Sequence, residues 1–94
     1  MLFRSKDLTL EGPFIEREMA LVKVVANGEK RVESLRIGDV FKARVVDATI
    51  NSFVFELTGT ADDLDRFIDL MQQLGEVDIS RTGAAALSRG TSTL

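Results

Sequence analysis

The chain has 94 residues, 45% hydrophobic and 29% charged, with a formal net charge of -3 and neither cysteine nor histidine. A chain this short buries only roughly 60 to 65% of the surface its unfolded form exposes, so one core is expected and a second is not. The acidic balance argues against a nucleic-acid partner, the missing cysteines exclude disulfides, and the missing histidines remove every His-containing triad and the commonest transition-metal ligand.

No apolar run approaches the roughly 20 residues that span a bilayer, and Met1-Leu2-Phe3-Arg4-Ser5-Lys6 lacks the apolar run of a signal peptide. A cytoplasmic chain without a membrane partner is expected. Residues 1–15, with Gly12-Pro13, read as a lead-in or interdomain linker, and 16–94 as one domain. Glu16 to Ala26 is β-branched and nearly continuously apolar, as in a strand covered on both faces. After Asn27-Gly28, the spacing of Val32, Leu35 and Ile37 predicts a short helix that presents these residues to the core and ends at Gly38. Phe41 to Ala48 alternates as a second strand, Ile50-Asn51-Ser52 supplies a turn, and Phe53, Phe55 and Leu57 mark a third strand paired with it in a hairpin.

Thr60 precedes Asp63 by three residues, an approximate capping box that starts a second helix. Leu64, Phe67, Ile68, Met71 and Leu74 share one face of that helix, while Asp62, Asp65, Arg66, Asp69 and Gln72 share the other. Gly75 suits a left-handed helix end, and Val77 and Ile79 alternate in a last strand. The order predicts an α+β, ferredoxin-like βαββαβ sandwich, an antiparallel four-stranded sheet with two helices on one face.

Parity then assigns Ala20, Val22, Val24, Phe41, Ala43, Val45, Phe53, Phe55, Leu57, Val77 and Ile79 to the helix side. Met19, Leu21, Val25, Val46 and Val54 fall on the open face with Lys23, Lys42, Arg44 and Glu56. Such a half-apolar face is expected to pack on another copy or domain, as a homodimer or higher oligomer.

Four segments resemble one family. Glu16-Arg17-Glu18-Met19-Ala20-Leu21-Val22-Lys23-Val24 is similar to the run that opens the carboxy-terminal domain of acetolactate (acetohydroxyacid) synthase small subunits. Phe41-Lys42-Ala43-Arg44-Val45-Val46-Asp47, then Leu57-Thr58-Gly59 with Leu64, Asp65, Phe67 and Ile68, continue the likeness in order. Arg81-Thr82-Gly83 with Ala86-Leu87-Ser88-Arg89-Gly90 resembles the family's terminal signature, and Asp7-Leu8-Thr9 with Gly12-Pro13-Phe14 its interdomain linker.

The resemblance implies a non-catalytic regulatory domain that associates with and activates the large catalytic subunit in valine, leucine and isoleucine biosynthesis. Thiamine diphosphate, flavin and Mg²⁺ are implied for that subunit, and no cofactor is assigned to this chain. The family's small subunits normally begin with an ACT domain, implied to bind valine or a related amino acid. Residues 1–15 are too few to form one.

Arg81, Thr82, Gly83, Ser88, Arg89 and Gly90 are the candidate partner-binding residues; guanidinium, hydroxyl and glycine backbone can bind carboxylates or carbonyls, although a solvated tail explains them too. Asn27 and Gly28 occupy the place of the effector loop in ACT-like folds, or are a plain turn. Lys23, Lys42 and Arg44 either attract an acidic partner or are neutralised by Glu56. Asp62, Asp63, Asp65 and Asp69 read as a solvated helix face that favours the macrodipole, with Asp62 paired to Arg66, and not as a metal site. The alternative function is a stand-alone module binding an amino acid or nucleotide at a dimer interface. An enzyme is not expected, since no acid-base constellation is assembled.

Overall fold

A computed structural model describes residues 14–91. The Asp7-Leu8-Thr9 and Gly12-Pro13 segments lie outside the described residues. The elements are β1 (Phe14–Val25), α1 (Gly28–Val40), β2 (Arg44–Thr49), β3 (Ser52–Gly59), α2 (Ala61–Gln72), β4 (Glu76–Arg81) and β5 (Ala85–Ser88). Strand order is β2-β3-β1-β4 with antiparallel neighbours throughout. Helix α1 therefore joins strands that have β3 between them, and α2 joins strands that have β1 between them. This is the expected ferredoxin-like arrangement.

Alternation along β1 buries Ala20, Val22 and Val24 and turns Met19, Leu21, Lys23 and Val25 to the other side. Register sets Val22 opposite Phe55 and Val24 opposite Phe53, so the rings of β3 share the buried face. Leu64, Phe67, Ile68 and Met71 of α2 close the core over them. Phe67 stands edge-on to Phe41 and Phe55, at centroid distances of 5.3 and 5.6 Å. The capping box forms as expected: Asp63 N–H donates to Thr60 Oγ1 at 3.2 Å, and Thr60 N–H donates to Asp63 Oδ2 at 3.4 Å.

Several expectations need correction. The first helix does not stop at Gly38 but continues to Val40, and the second strand begins at Arg44 and not at Phe41. Gly38 is a packing residue: a Cβ there would lie 2.5 Å from Cε1 of Phe55. Of the three residues expected to face the core, Ile37 packs on it, but Val32 and Leu35 are 66% and 45% exposed, and Ser34 and Gly38 are buried in their stead. The chain leaves α1 through Lys42, at a φ of 59°, although Phe41 and Ala43 still pack on the core.

Gly75 has no positive φ; it is needed because a Cβ would come within 1.9 Å of the Val25 carbonyl oxygen. Arg66 pairs with Asp63 at 2.8 Å, and not with Asp62. Strand β2 carries a bulge between Val45 and Asp47, so Val46 falls within the irregularity and outside the regular open-face alternation. Finally, the sheet has a fifth strand where four were expected.

Candidate functional site

Strand β1 is 12 residues long, about 40 Å at the usual rise, which exceeds what β3 and β4 can cover. Its pairing with β3 begins at Glu18, opposite Gly59, and its pairing with β4 runs from Ala20 to Val25. The projecting residues Phe14–Arg17 pair instead with Arg17 opposite Ala85 and Phe14 opposite Ser88. They form a two-stranded arm with β5.

Strands β4 and β5 run in the same direction beside β1, so they are one strand with an interruption. Between the Ala20–Arg81 and Arg17–Ala85 pairs, β1 has Glu18 and Met19 where its neighbour has Thr82, Gly83 and Ala84. The extra residue makes a bulge, and Gly83 supplies the positive φ of 84° that such a kink favours.

A polar clasp fills the bulge. Glu18 has the inward parity of Ala20 and Val22 and is only 7% exposed, so its carboxylate needs partners. Arg81 provides them in fork geometry: Nε donates to Glu18 Oε2 and Nη2 to Oε1, both at 2.9 Å. The Gly83 N–H also donates to Oε2, at 3.1 Å. The remaining arm of the guanidinium, Nη1, donates to Asp65 of α2 at 2.6 Å. Beside it, Thr82 N–H donates to the Met19 carbonyl at 3.0 Å and Met19 N–H donates to Thr82 Oγ1 at 3.1 Å.

The hydrogen bonds from Arg81 hold the Glu18 carboxyl below the usual carboxylate range, outweighing desolvation, and the Gly83 amide adds to the effect. Arg81 is in turn held more firmly protonated by Glu18 first and Asp65 second. Stabilisation from Glu18 is thus present above its unfolded pKa and lost as pH falls through the lower folded value.

Of the candidate contact residues, Arg81, Thr82 and Gly83 build this clasp. Ser88 lies in the arm, and Arg89 follows it, with Nε 3.4 Å from the Phe14 carbonyl. Gly90 takes a φ of 65°. Together with Phe14, Ile15, Arg17, Thr60 and Asp62, Arg89 lines a cleft of about 390 Å³ between the arm and the start of α2. Within the arm Ile15 pairs with Leu87, which is 77% exposed.

Met19, Leu21, Val25 and Val54 share the open sheet face, where Leu21 and Val25 are exposed. Arg44 lies opposite Glu56, with its guanidinium 3.9 Å from the carboxylate, and Lys23 lies opposite Asp78. Lys42 lies outside the strands. Asn27 and Gly28 form the exposed strand-to-helix turn, with Gly28 at a φ of 60°. Among the described residues no group of three or more His, Cys, Asp or Glu side chains could hold a metal ion. No helix among them is long and apolar enough to cross a membrane.

The sequence model of a family described as the small subunit of acetolactate synthase matches residues 17–90, from the base of the arm through its far strand. The chain belongs to the acetolactate synthase small-subunit family. It is 45% identical over 76 residues to a probable acetolactate synthase small subunit of Archaeoglobus fulgidus, covering 81% of this chain and 48% of that one. An acetolactate synthase small subunit of Aquifex aeolicus is 38% identical over 87 residues, covering 92% of this chain and 45% of its own length. The crystal structure of an acetolactate synthase small subunit from Thermotoga maritima superposes with a TM-score of 0.77 at 32% identity, covering 88% of this chain and 51% of that one. The chain thus spans about half the length of the small subunits it matches.

Two residues of the clasp escaped the assignment of site residues. Glu18 could have been found by parity, because a carboxylate in phase with Ala20, Val22 and Val24 must be buried and must find a cation. Asp65 gave no such signal: on the sequence it is one acidic residue of a solvated helix face.

Proposed function

We propose that this domain is the non-catalytic part of an acetolactate synthase small subunit, and that it associates with the large catalytic subunit and activates it in branched-chain amino-acid biosynthesis. The observation that carries the reading is the family match over residues 17–90, which takes in the clasp and the far strand of the arm. Thiamine diphosphate chemistry is assigned to the catalytic partner, and a cytoplasmic location follows from the same reading. Ser88, Arg89 and Gly90 at the arm are the proposed contacts, with Arg81, Thr82 and Gly83 shaping the backbone that presents them.

The open face supports a second proposal, self-association through Met19, Leu21, Val25 and Val54, with Val46 at its margin. Large apolar patches are uncommon on monomers. Sedimentation of the chain should give a dimer or larger species that Leu21→Asp converts to monomer; a wild-type monomer at all concentrations removes this proposal.

The main reading is tested by mixing the chain, alone and joined to a cognate ACT domain, with the catalytic subunit of the same organism. Co-migration in size-exclusion chromatography and a rise in acetolactate formation are expected. If neither form co-migrates or activates, the reading is wrong.

A further inference from the structure

We propose that Glu18, Arg81 and Asp65 form a positioning clasp that fixes the direction of the β1–β5 arm, so that association with a partner depends on residues that do not themselves touch it. An isolated two-stranded ribbon is only marginally stable in water. The arm consists of Phe14–Arg17 against Ala85–Ser88, and it meets the rest of the sheet at the one-residue bulge around Gly83. A glycine bulge bends a strand and leaves a ladder locally interrupted. Gly83 has a φ of 84°, and among the described residues beyond its chain neighbours nothing lies within 4 Å of the position of a Cβ, so no side-chain packing at this residue sets the bend.

The clasp sets it. Glu18 sits in the one stretch of β1 between its pairing with β4 and its pairing with β5. Its carboxylate is tied on one side to the Arg81 fork, which ends β4, and on the other to the Gly83 amide inside the bulge. Asp65 extends the tie to α2, giving the guanidinium three fixed oxygens and leaving it one geometry. The paired Thr82 and Met19 bonds close the same joint from the backbone side. The arm is thereby held to the core by directional bonds, while its paired Ile15 and Leu87 are 46% and 77% exposed.

The consequence for partner association rests on the reading under Proposed function; the clasp itself does not. Hydrogen exchange of the whole chain in the absence of any partner tests the clasp. In Arg81→Lys, which keeps the charge and loses the fork, amides of residues 14–17 and 85–88 should exchange at least tenfold faster while those of Val22 and Phe55 keep their protection. Asp65→Asn, a change at an exposed side chain that leaves the core intact, should shift the same arm amides in the same direction by a smaller factor.

Unchanged arm exchange in both variants overturns the clasp, as does equal acceleration of arm and core, which would mark simple loss of stability. Binding to the catalytic subunit is measured in parallel, and Arg81→Lys should weaken it about tenfold. Failure of the wild-type chain to bind overturns the partner reading and its consequence here, whereas wild-type affinity in a variant whose arm has loosened overturns the link between arm and partner.

Discussion

Helix α2 meets the sheet with Leu64, Phe67, Ile68 and Met71, all buried, whereas α1 meets it with Ser34, Gly38 and the half-buried Ile37 and leaves Val32 and Leu35 in solvent. In α2 the helix brings the bulk and the sheet receives it. In α1 the sheet brings the bulk: the Phe55 ring fills the space where Gly38 has no side chain. Ser34 keeps its hydroxyl satisfied within the helix by donating to the Arg31 carbonyl at 2.6 Å.

Their ends differ too. The capping box starts α2, while Asn27 makes no side-chain cap for α1. The latter is anchored from its side by Arg31, whose Nη2 and Nε donate to the Thr49 carbonyl at 2.7 and 3.1 Å and whose guanidinium lies 4.1 Å from the Phe53 ring centroid. Amphipathic spacing reveals a core face only when the helix itself supplies the large side chains. Where a helix approaches closely through small residues, its apolar side chains can point outward.

The contrast makes graded predictions. Phe67→Ala removes a fully buried ring from between Phe41 and Phe55 and should cost about 3 to 5 kcal/mol in urea unfolding, the largest effect of the set. A loss below about 1 kcal/mol would mean that α2 is not the main source of core bulk.

Gly38→Ala sharpens the comparison because the two contributions have opposite signs. Helix propensity favours alanine by about 1 kcal/mol, yet overpacking against Phe55 costs about 1 to 3 kcal/mol, so net destabilisation is expected. Phe55→Leu in the same chain should relieve part of it, and a double-mutant cycle reads that coupling. If Gly38→Ala is stabilising, the close approach of α1 is refuted.

Thr60→Ala should cost about 1 kcal/mol by removing the cap of α2, again from urea unfolding. Substituting Asn27 by alanine should cost less, since that side chain makes no capping bond. The smallest effect is assigned to Val32→Gln on the outer face of α1, within about 0.5 kcal/mol. A loss of 2 kcal/mol or more there, growing with protein concentration, would show that this face is covered in solution.

The order of the first six elements, the hairpin, the capping box and the core face of α2 were legible in the sequence because each rests on local spacing. Parity along β1 also identified its open face correctly. Of the inner face of α1 only Ile37 was legible, since Ser34 and Gly38 look like solvent and a helix stop until Phe55 is placed beside them. Gly75 misled in the same way: a close backbone contact and a left-handed turn both select glycine.

The candidate contact segment shows the boundary most plainly. By itself the sequence determined the alternation of strands and helices and the likeness of Arg81-Thr82-Gly83 to a family signature, because both are properties of neighbours along the chain. Only the tertiary structure decided that Arg81 grips Glu18, 63 residues away, and that the segment read as contact or tail is a bulge and a fifth strand. A buried carboxylate announces that it needs a cation, but which cation reaches it is settled only when strands distant in sequence are laid side by side.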